Sequence, residues 1–383
     1  MFFCFCGAIL IQSSKNCPFI SGFNGKELFI MSSSSAIRFA AIGCGNAGTA
    51  RICTLAEHEL GVKVVAGADL LSANLDNLAA RLGYPVKQYV GDQAYKKMLA
   101  ENELDAVGIF TPHIPHYEHV LAAMQHNLHV LIEKPMVCGS ANALEVTKLM
   151  RESGKVGIVH YQRHYEPKFA KARELIQKGL IGDIQRFFVY MAQDWPGQTW
   201  RAEPEYSGGG QINDSGSHYL DILLWMLDTL PRSAEGHTDS FYNGKRGKVE
   251  FNGSFNIELE NDAVGRVVFL ADIPGGFIDD VRIIGSEGSL FFQGDRLIHF
   301  DAKKKSYHDM PTTLAKNYPS SPCDNFVKLI RNKVRINRVP FIFGCRVALL
   351  TEAMLRSGAQ GGRKIICADI LKESGHSLED LLE

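Results

Sequence analysis

The sequence predicts an α/β protein: a doubly wound parallel sheet in the first half, then an α+β part built on a predominantly antiparallel sheet. Three observations predict it. Short apolar runs alternate with helical patterns from Ile37 to Val159, a period-two alternation takes over after Phe251, and a glycine-rich turn separates the first run from the first helix.

Ile37 to Ile42 is an apolar run closed by Gly43, which reads as a buried strand, and Ala47 to Leu60 follows with helical spacing. Val62 to Ala68 is a second strand ending at Asp69. Ala73 to Leu82 is helical and stops at Gly83, a residue suited to the left-handed helix end. Ala106 to Phe110 is a strand stopped by Thr111-Pro112. His116 to His126 is a helix, His129 to Ile132 a strand, Ala141 to Glu152 a helix and Val156 to Val159 a strand. In the second half Phe251, Phe255, Ile257 and Leu259 alternate with polar residues, the mark of a strand with one wet face. Asn261-Asp262 turns the chain into Val264 to Leu270, and Val281 to Ile284 and Leu290 to Phe292 flank Gly285 to Gly288 in the same way. A last helix, Cys345 to Ser357, packs back on the body. The expected division is residues 1–35 as an extension, 36–160 as a dinucleotide-binding domain, and 161–383 as a domain for substrate and assembly.

Composition narrows the function. The chain has 383 residues, 45% hydrophobic and 22% charged, with a formal net charge of -1. It carries no dense basic block, which excludes a nucleic-acid binder of the usual electrostatic kind. The nine cysteines are scattered without zinc-ligand spacing, so no metal site is expected and a reducing, cytoplasmic compartment fits. No apolar stretch reaches the ~20 residues of a membrane span. Phe2 to Ile11 is apolar, but no Lys or Arg precedes it. It reads as an extension without a role in the fold, Met31 being the natural start, rather than as an export signal.

Gly43-Cys44-Gly45-Asn46-Ala47-Gly48 is a G-x-G-x-x-G between strand and helix. Gly43 permits the tight turn, Gly45 lets the backbone approach a pyrophosphate, and Gly48 lets helix and strand pack closely, with the helix N-terminus facing the phosphates. Asp69, at the end of the next strand, suits the ribose hydroxyls and repels a 2′-phosphate, so NAD is preferred and NADP is the alternative. Thr111, Pro112 and His116 follow the strand whose loop faces the nicotinamide half.

Three clusters carry chemistry. Glu133-Lys134-Pro135 ends a parallel strand, which aims Lys134 at the ligand crevice, where its ammonium suits a developing alkoxide. Alone, Lys134 equally fits a surface lysine paired with Glu133. Asp214 and His218 stand four apart at the start of an apolar helix that also holds Asp221. His218 suits proton transfer near neutral pH, and Asp214 would orient it and favour its protonated form. The same pair fits a helix cap and a core histidine. Arg163 suits substrate hydroxyls or an ion pair with Glu166. Trp195 and Trp200 flank Pro196-Gly197 as a platform for a sugar face, or as a plain apolar loop. His113, His126 and His164 read as surface or packing residues.

In order, the glycine turn, Thr111-Pro112 with His116, Glu133-Lys134-Pro135 and the run from Gly208 to Asp214-x-Gly-x-His218 resemble the glucose–fructose oxidoreductase / inositol dehydrogenase / rhizopine-catabolism (Gfo/Idh/MocA) family, from about Ile37 to about Ile366. The resemblance implies a Rossmann domain, an open-faced sheet domain that mediates homodimers or homotetramers, and catalytic roles for Lys134, Asp214 and His218. It implies a sugar, cyclitol or other polyol as substrate, with Lys134, Arg163, Trp200, Asp214 and His218 facing it and Gly43 to Ala47, Asp69, Glu133 and Lys134 facing the cofactor. Asn213 stands where the family has an apolar residue and predicts an extra polar contact in the pocket. Two other readings fit the motifs: a glycosidase that uses bound NAD for transient oxidation, and a silent NAD-sensing binding protein.

Overall fold

The computed structural model describes residues 35–382. The extension expected over residues 1–35 lies, but for Ser35, outside the described residues. The first sheet begins with β1 (Ile37–Ile42), α1 (Asn46–Ala56), β2 (Val62–Asp69) and α2 (Ser72–Leu82). It goes on through β3 (Lys87–Val90), α3 (Ala94–Glu101), β4 (Ala106–Ile109), α4 (His116–Gln125), β5 (His129–Ile132), α5 (Ser140–Ser153) and β6 (Gly157–Val159). Its six strands run in the order β3-β2-β1-β4-β5-β6, all parallel. The order reverses between β1 and β4. Strand carboxyl ends diverge at such a switch point and leave a crevice for a ligand. The central strands are buried on both faces, which is why β4 and β5 read as continuous apolar runs.

Beyond β6 come α6 (Pro167–Gln177), β7 (Ile184–Asp194), the short α7 (Pro204–Ser207) and α8 (Ser217–Leu227), the last preceded by a π-helical turn, Ile212–Gly216. Next are β8 (Pro231–Asp239), the small hairpin β9 (Phe241–Tyr242) and β10 (Lys245–Arg246), β11 (Asn252–Leu259) and β12 (Val264–Leu270). The long β13 (Asp272–Gly285), β14 (Gly288–Gln293), β15 (Arg296–Asp301) and β16 (Ser306–Met310) follow. The chain ends in α9 (Pro322–Ile330), α10 (Phe341–Ala359), β17 (Ile365–Ile366) and α11 (Cys367–Glu373).

The second sheet has nine strands in the order β16-β15-β14-β13-β7-β12-β11-β8-β17. It is mixed rather than purely antiparallel, because β7 and β12 at its centre pair in parallel. One face carries α8 and α10, with Phe255, Ile257, Val267 and Val281 in the core beneath them. On the other face Phe188 and Tyr190 stack, and Phe291 and Phe300 meet Tyr307, which is exposed. The two sheets are tied by the C-terminal elements. α10 packs on both α5 and β8, α9 contributes Cys323, Phe326 and Val327 to the core around β1 and β2, and Val159 bonds to the carbonyl of Val339.

Candidate active site

The glycine turn is built as its spacing predicts. Gly43 has φ +87°, and a Cβ there would lie 2.7 Å from the Phe110 carbonyl carbon. A Cβ on Gly48 would lie 2.4 Å from the Gly43 oxygen, so helix and strand approach closely only because both residues lack one. Gly45 differs. A Cβ there would meet nothing within 4 Å, so its side faces open space ahead of the α1 N-terminus, where Asn46 and Ala47 are exposed. That open cradle beside unpaired N–H groups fits a pyrophosphate.

Asp69 holds the turn from the side. One oxygen accepts from the Cys44 N–H at 2.6 Å, the other from Leu71 N–H and Asn74 Nδ2 at 2.9 Å each. The Cys44 thiol is buried beneath the turn, and burial raises its pKa far above the usual thiol value. Leu70 and Leu71 are exposed beside Asp69 and bring no cation. Across the crevice Thr111 follows β4, its hydroxyl 3.1 Å from His119 Nδ1, with Pro112 half-buried after it. His116 is fully buried and bridges the Thr111 carbonyl at 3.0 Å and the Pro135 carbonyl at 2.9 Å, tying the two loops together.

Glu133 and Lys134 leave the end of β5 in different directions, and the Lys134–Pro135 peptide is cis. Glu133 pairs with Arg51 of α1 at 3.0 Å and lies 3.6 Å from His160 Nδ1. Burial pushes its carboxyl up, but His160, Arg51 and Lys134 prevail and hold it low. Lys134 does not pair with Glu133 through its ammonium. Its Nζ lies 2.5 Å from Asp214 Oδ1 and 3.1 Å from the Asp214 carbonyl.

Asp214 is a hub. Its Oδ2 accepts from Arg201 Nε at 2.8 Å and Trp195 Nε1 at 3.0 Å, and His113 Nε2 stands 3.8 Å from Oδ1. Burial would raise this carboxyl. The opposing charges of Lys134 and Arg201, with the Lys134 hydrogen bond, hold it well below the usual carboxylate range. Lys134, Asp214, Arg201 and Trp195 line one cavity of about 490 Å³, together with Gln193, Thr199 and Ser215.

Several expectations change here. Asp214 spends its carboxylate on Lys134, Arg201 and Trp195, so it does not orient His218 through a hydrogen bond. It does favour the imidazolium, as expected, but is overridden. Burial, then the charges of Lys134 and Arg163, outweigh Asp214 and drop the His218 pKa well below its ordinary value. His218 is half-buried against the Tyr161 ring, with Nδ1 sealed and without a partner among the described residues. Arg163 pairs with Asp279 at 3.9 Å and lies over the Tyr219 ring at 4.2 Å, instead of forming the Glu166 pair. Trp195 is buried as an Asp214 donor, so no two-tryptophan platform forms. Trp200 is half-buried, its edge against His113. Asn213 donates to the Ser207 carbonyl at 2.8 Å, fastening the glycine-rich segment rather than facing the cavity.

His113 and His164 are more than packing residues. His113 bonds Ser207 O at 3.0 Å, and burial takes its pKa down to about 3, keeping it neutral beside Asp214. His164 is fully buried, 2.8 Å from Asp221 Oδ2 and stacked on Trp225, which joins the Arg163 segment to the helix of His218. Sequence reasoning misses Arg201, and reads Trp195 as part of a platform and not as an Asp214 donor, because both reach Asp214 from an irregular loop, which has no periodicity to read. Their one sequence signal is a cluster of Trp and Arg between Trp195 and Arg201.

Comparison with known proteins identifies the family. A model of an oxidoreductase family with an NAD-binding Rossmann fold matches residues 37–161, and the GFO/IDH/MocA C-terminal domain matches residues 169–291. The chain is 26% identical over 281 residues to the scyllo-inositol 2-dehydrogenase (NAD(+)) of Bacillus subtilis (strain 168), covering 72% of this chain and 80% of that one. It is 28% identical over 248 residues to the 1,5-anhydro-D-fructose reductase of Ensifer adhaerens, covering 61% and 71%. Among solved structures, levoglucosan dehydrogenase in complex with NADH superposes with a TM-score of 0.75 at 19% identity, covering 87% and 99% of the two chains. GenD2 from gentamicin A biosynthesis in complex with NAD gives 0.72 at 23% identity, covering 88% and 97%. The two family matches follow one another along the chain and take in the glycine turn, Lys134 and the Asp214–His218 segment: the chain belongs to the GFO/IDH/MocA family of oxidoreductases, with an NAD-binding Rossmann domain and that family's C-terminal domain.

Proposed function

We propose that the protein is an NAD-dependent dehydrogenase or reductase acting on a secondary carbinol of a sugar, a cyclitol or a derivative of either. One observation carries the reading. Lys134 at the end of β5 and Asp214 ahead of α8, 80 residues apart, form an ion pair in the wall of one cavity, within electrostatic reach of the neutral His218. The names of the relatives support the substrate class: an inositol dehydrogenase, an anhydrofructose reductase and levoglucosan dehydrogenase.

The cofactor would be held by Gly43 to Ala47 and Asp69, with Thr111, Pro112, Glu133 and Lys134 bordering its nicotinamide half. His116 fixes the two loops that carry them. Asp69 favours NAD over NADP, since a 2′-phosphate would meet a carboxylate with no cation supplied by Leu70 or Leu71. When bound, NAD supplies the acceptor or donor of the hydride at the carbinol carbon.

The protein's own groups handle charge and protons. The Lys134 ammonium has three N–H groups, of which Asp214 takes two, leaving one for the substrate oxygen. Asp214, ionised at any working pH, keeps that ammonium charged and placed, so it is a positioning residue. Hydrogen bonding from Lys134 Nζ stabilises oxyanion character on the substrate. His218 is neutral and therefore free to accept the hydroxyl proton. Nδ1 is sealed and His218 stands outside the lining of the Lys134 cavity, so this role falls to Nε2 and requires the substrate to reach past Lys134 to it. In the reducing direction the same imidazole returns the proton.

Residues 36–160 would then serve the cofactor and 161–383 the substrate and assembly. Homodimers or homotetramers would form through the open sheet face that exposes Ile278, Ile284 and Tyr307. Light scattering that reads a monomer at micromolar concentration rejects the assembly.

The reading is tested with a panel of inositols, aldoses and anhydrosugars in the presence of NAD+, followed at the NADH absorbance. Turnover of at least one polyol is expected. A folded Lys134→Ala/His218→Ala double variant with unchanged turnover rejects the site.

A further inference from the structure

The loop between β7 and α7 brings a second cation to the same carboxylate. Arg201 bonds Asp214 Oδ2 through Nε at 2.8 Å, and its guanidinium lies over the Trp200 ring at 4.3 Å. Both contacts fix the plane of the group before any ligand arrives. Its two Nη groups find no acceptor among the described residues, and the side chain, 40% exposed, lines the 490 Å³ cavity beside Lys134.

Lys134 and Arg201 share the one carboxylate of Asp214. Asp194 also lines the cavity and keeps its charge while accepting from the Tyr242 hydroxyl and the Gly275 N–H, so the two cations and two carboxylates of the lining balance, and what suits an anion is the placement of the Arg201 fork beside Lys134. His113 stays neutral. A guanidinium fork with free N–H pairs, held flat and next to an ammonium, is built for an acceptor with two oxygens.

The backbone gives an independent sign. Thr199, two residues before Arg201, has φ +60°, a left-handed conformation that a β-branched residue rarely adopts. Such conformations persist where the surroundings demand them, commonly in ligand-binding loops. Here the turn at Thr199 delivers Trp200 to His113 and Arg201 to Asp214.

We propose that Arg201 is a substrate-binding residue that selects sugars or cyclitols carrying an anionic group, a carboxylate or a phosphate. The acid oxygens accept from Arg201 Nη1 and Nη2, while the reacting hydroxyl lies nearer Lys134. The proposal rests on the carbinol-oxidising reading for what happens next, and its recognition step is measurable without turnover.

Full-length protein saturated with NADH is titrated calorimetrically with glucuronate, glucose 6-phosphate and glucose, in low and high salt. Glucuronate or glucose 6-phosphate should bind about tenfold or more tighter than glucose, and the better of the two says which anion the site takes. In Arg201→Gln that preference should collapse toward unity, and Arg201→Lys, which keeps the charge but not the fork, should restore part of it. Equal binding of acid and neutral sugar to the wild type overturns the proposal, even if Arg201→Gln does not fold. So does a preference that survives in Arg201→Gln. Tight, Arg201-dependent binding of the acid with no NADH formed from any polyol leaves the anion site standing and removes the dehydrogenase reading.

Discussion

Replacing Lys134 by Met separates chemistry from folding and from cofactor binding. Methionine keeps the length of the stem, so the change removes one charge and three donors with little change in shape. The Asp214 carboxylate keeps Arg201 at 2.8 Å and Trp195 at 3.0 Å, so it is not left unpaired. Stripping the only partner from a buried ion costs about 3–5 kcal/mol; with two partners remaining, a loss of about 1–2 kcal/mol is expected. The catalytic loss is larger. A preorganised donor to a developing oxyanion is worth about 2.7–4 kcal/mol, a fall of ~10²–10³ in kcat. The phosphate cradle at Gly43 to Ala47 is untouched, so NADH affinity should stay within about threefold. The assays are steady-state turnover on whichever polyol the panel identifies, NADH fluorescence titration and urea unfolding of the same preparation. Turnover within about threefold of wild type, with NADH still bound, refutes the role given to Lys134.

Other perturbations follow from the same geometry. Gly45→Val should weaken NADH binding by ~100-fold or more without loss of stability, because its side chain enters the open cradle; Gly43→Val should instead destabilise the fold, since its Cβ meets the Phe110 backbone. Fluorescence titration and thermal melts of the two variants distinguish these outcomes. Asp221→Ala leaves His164 without its carboxylate in a fully buried site and should cost about 3–5 kcal/mol in denaturant unfolding. Stability should also fall on mild acidification. Burial lowers the pKa of His113 to about 3 and of His119 and His129 to about 4, so the unfolded chain binds more protons than the folded one below the ordinary histidine value of 6.5. That contribution is present above pH 6.5 and is lost as pH falls from there toward 4. Each imidazole takes about 1 kcal/mol between pH 6.5 and 5.5. Urea midpoints that do not change over that interval contradict the burial of these groups.

The parts of the fold carried by local pattern were legible. The glycine turn, the strands on either side of it and the Gly83 helix end could be read because each buried strand is a short apolar run with a specific stop. β3 and α3 escaped notice for a physical reason. β3 has one inward residue, Tyr89, among exposed neighbours, and the eight-residue α3 buries only Tyr95, Met98 and Leu99. The parallel pairing of β7 with β12 is a long-range choice, made by which faces are covered, and nothing in either segment encodes it. At the site, Lys134, Asp214 and His218 could be singled out because motif and position agreed, and the structure brings Lys134 and Asp214 together in one cavity wall. The partner of each could not be read. Asp214 lies four residues from His218 along the chain, yet its oxygens face a lysine 80 residues away and an arginine in a loop.

The central claim is that hydride leaves a carbinol carbon beside Lys134 and His218. The mass of NADH formed from a polyol deuterated at its reacting carbon tests it most directly. The account predicts NADH heavier by one deuterium from the wild type, and none from the Lys134→Met variant on the same timescale. Unlabelled NADH, or label transferred equally well by the variant, would contradict it.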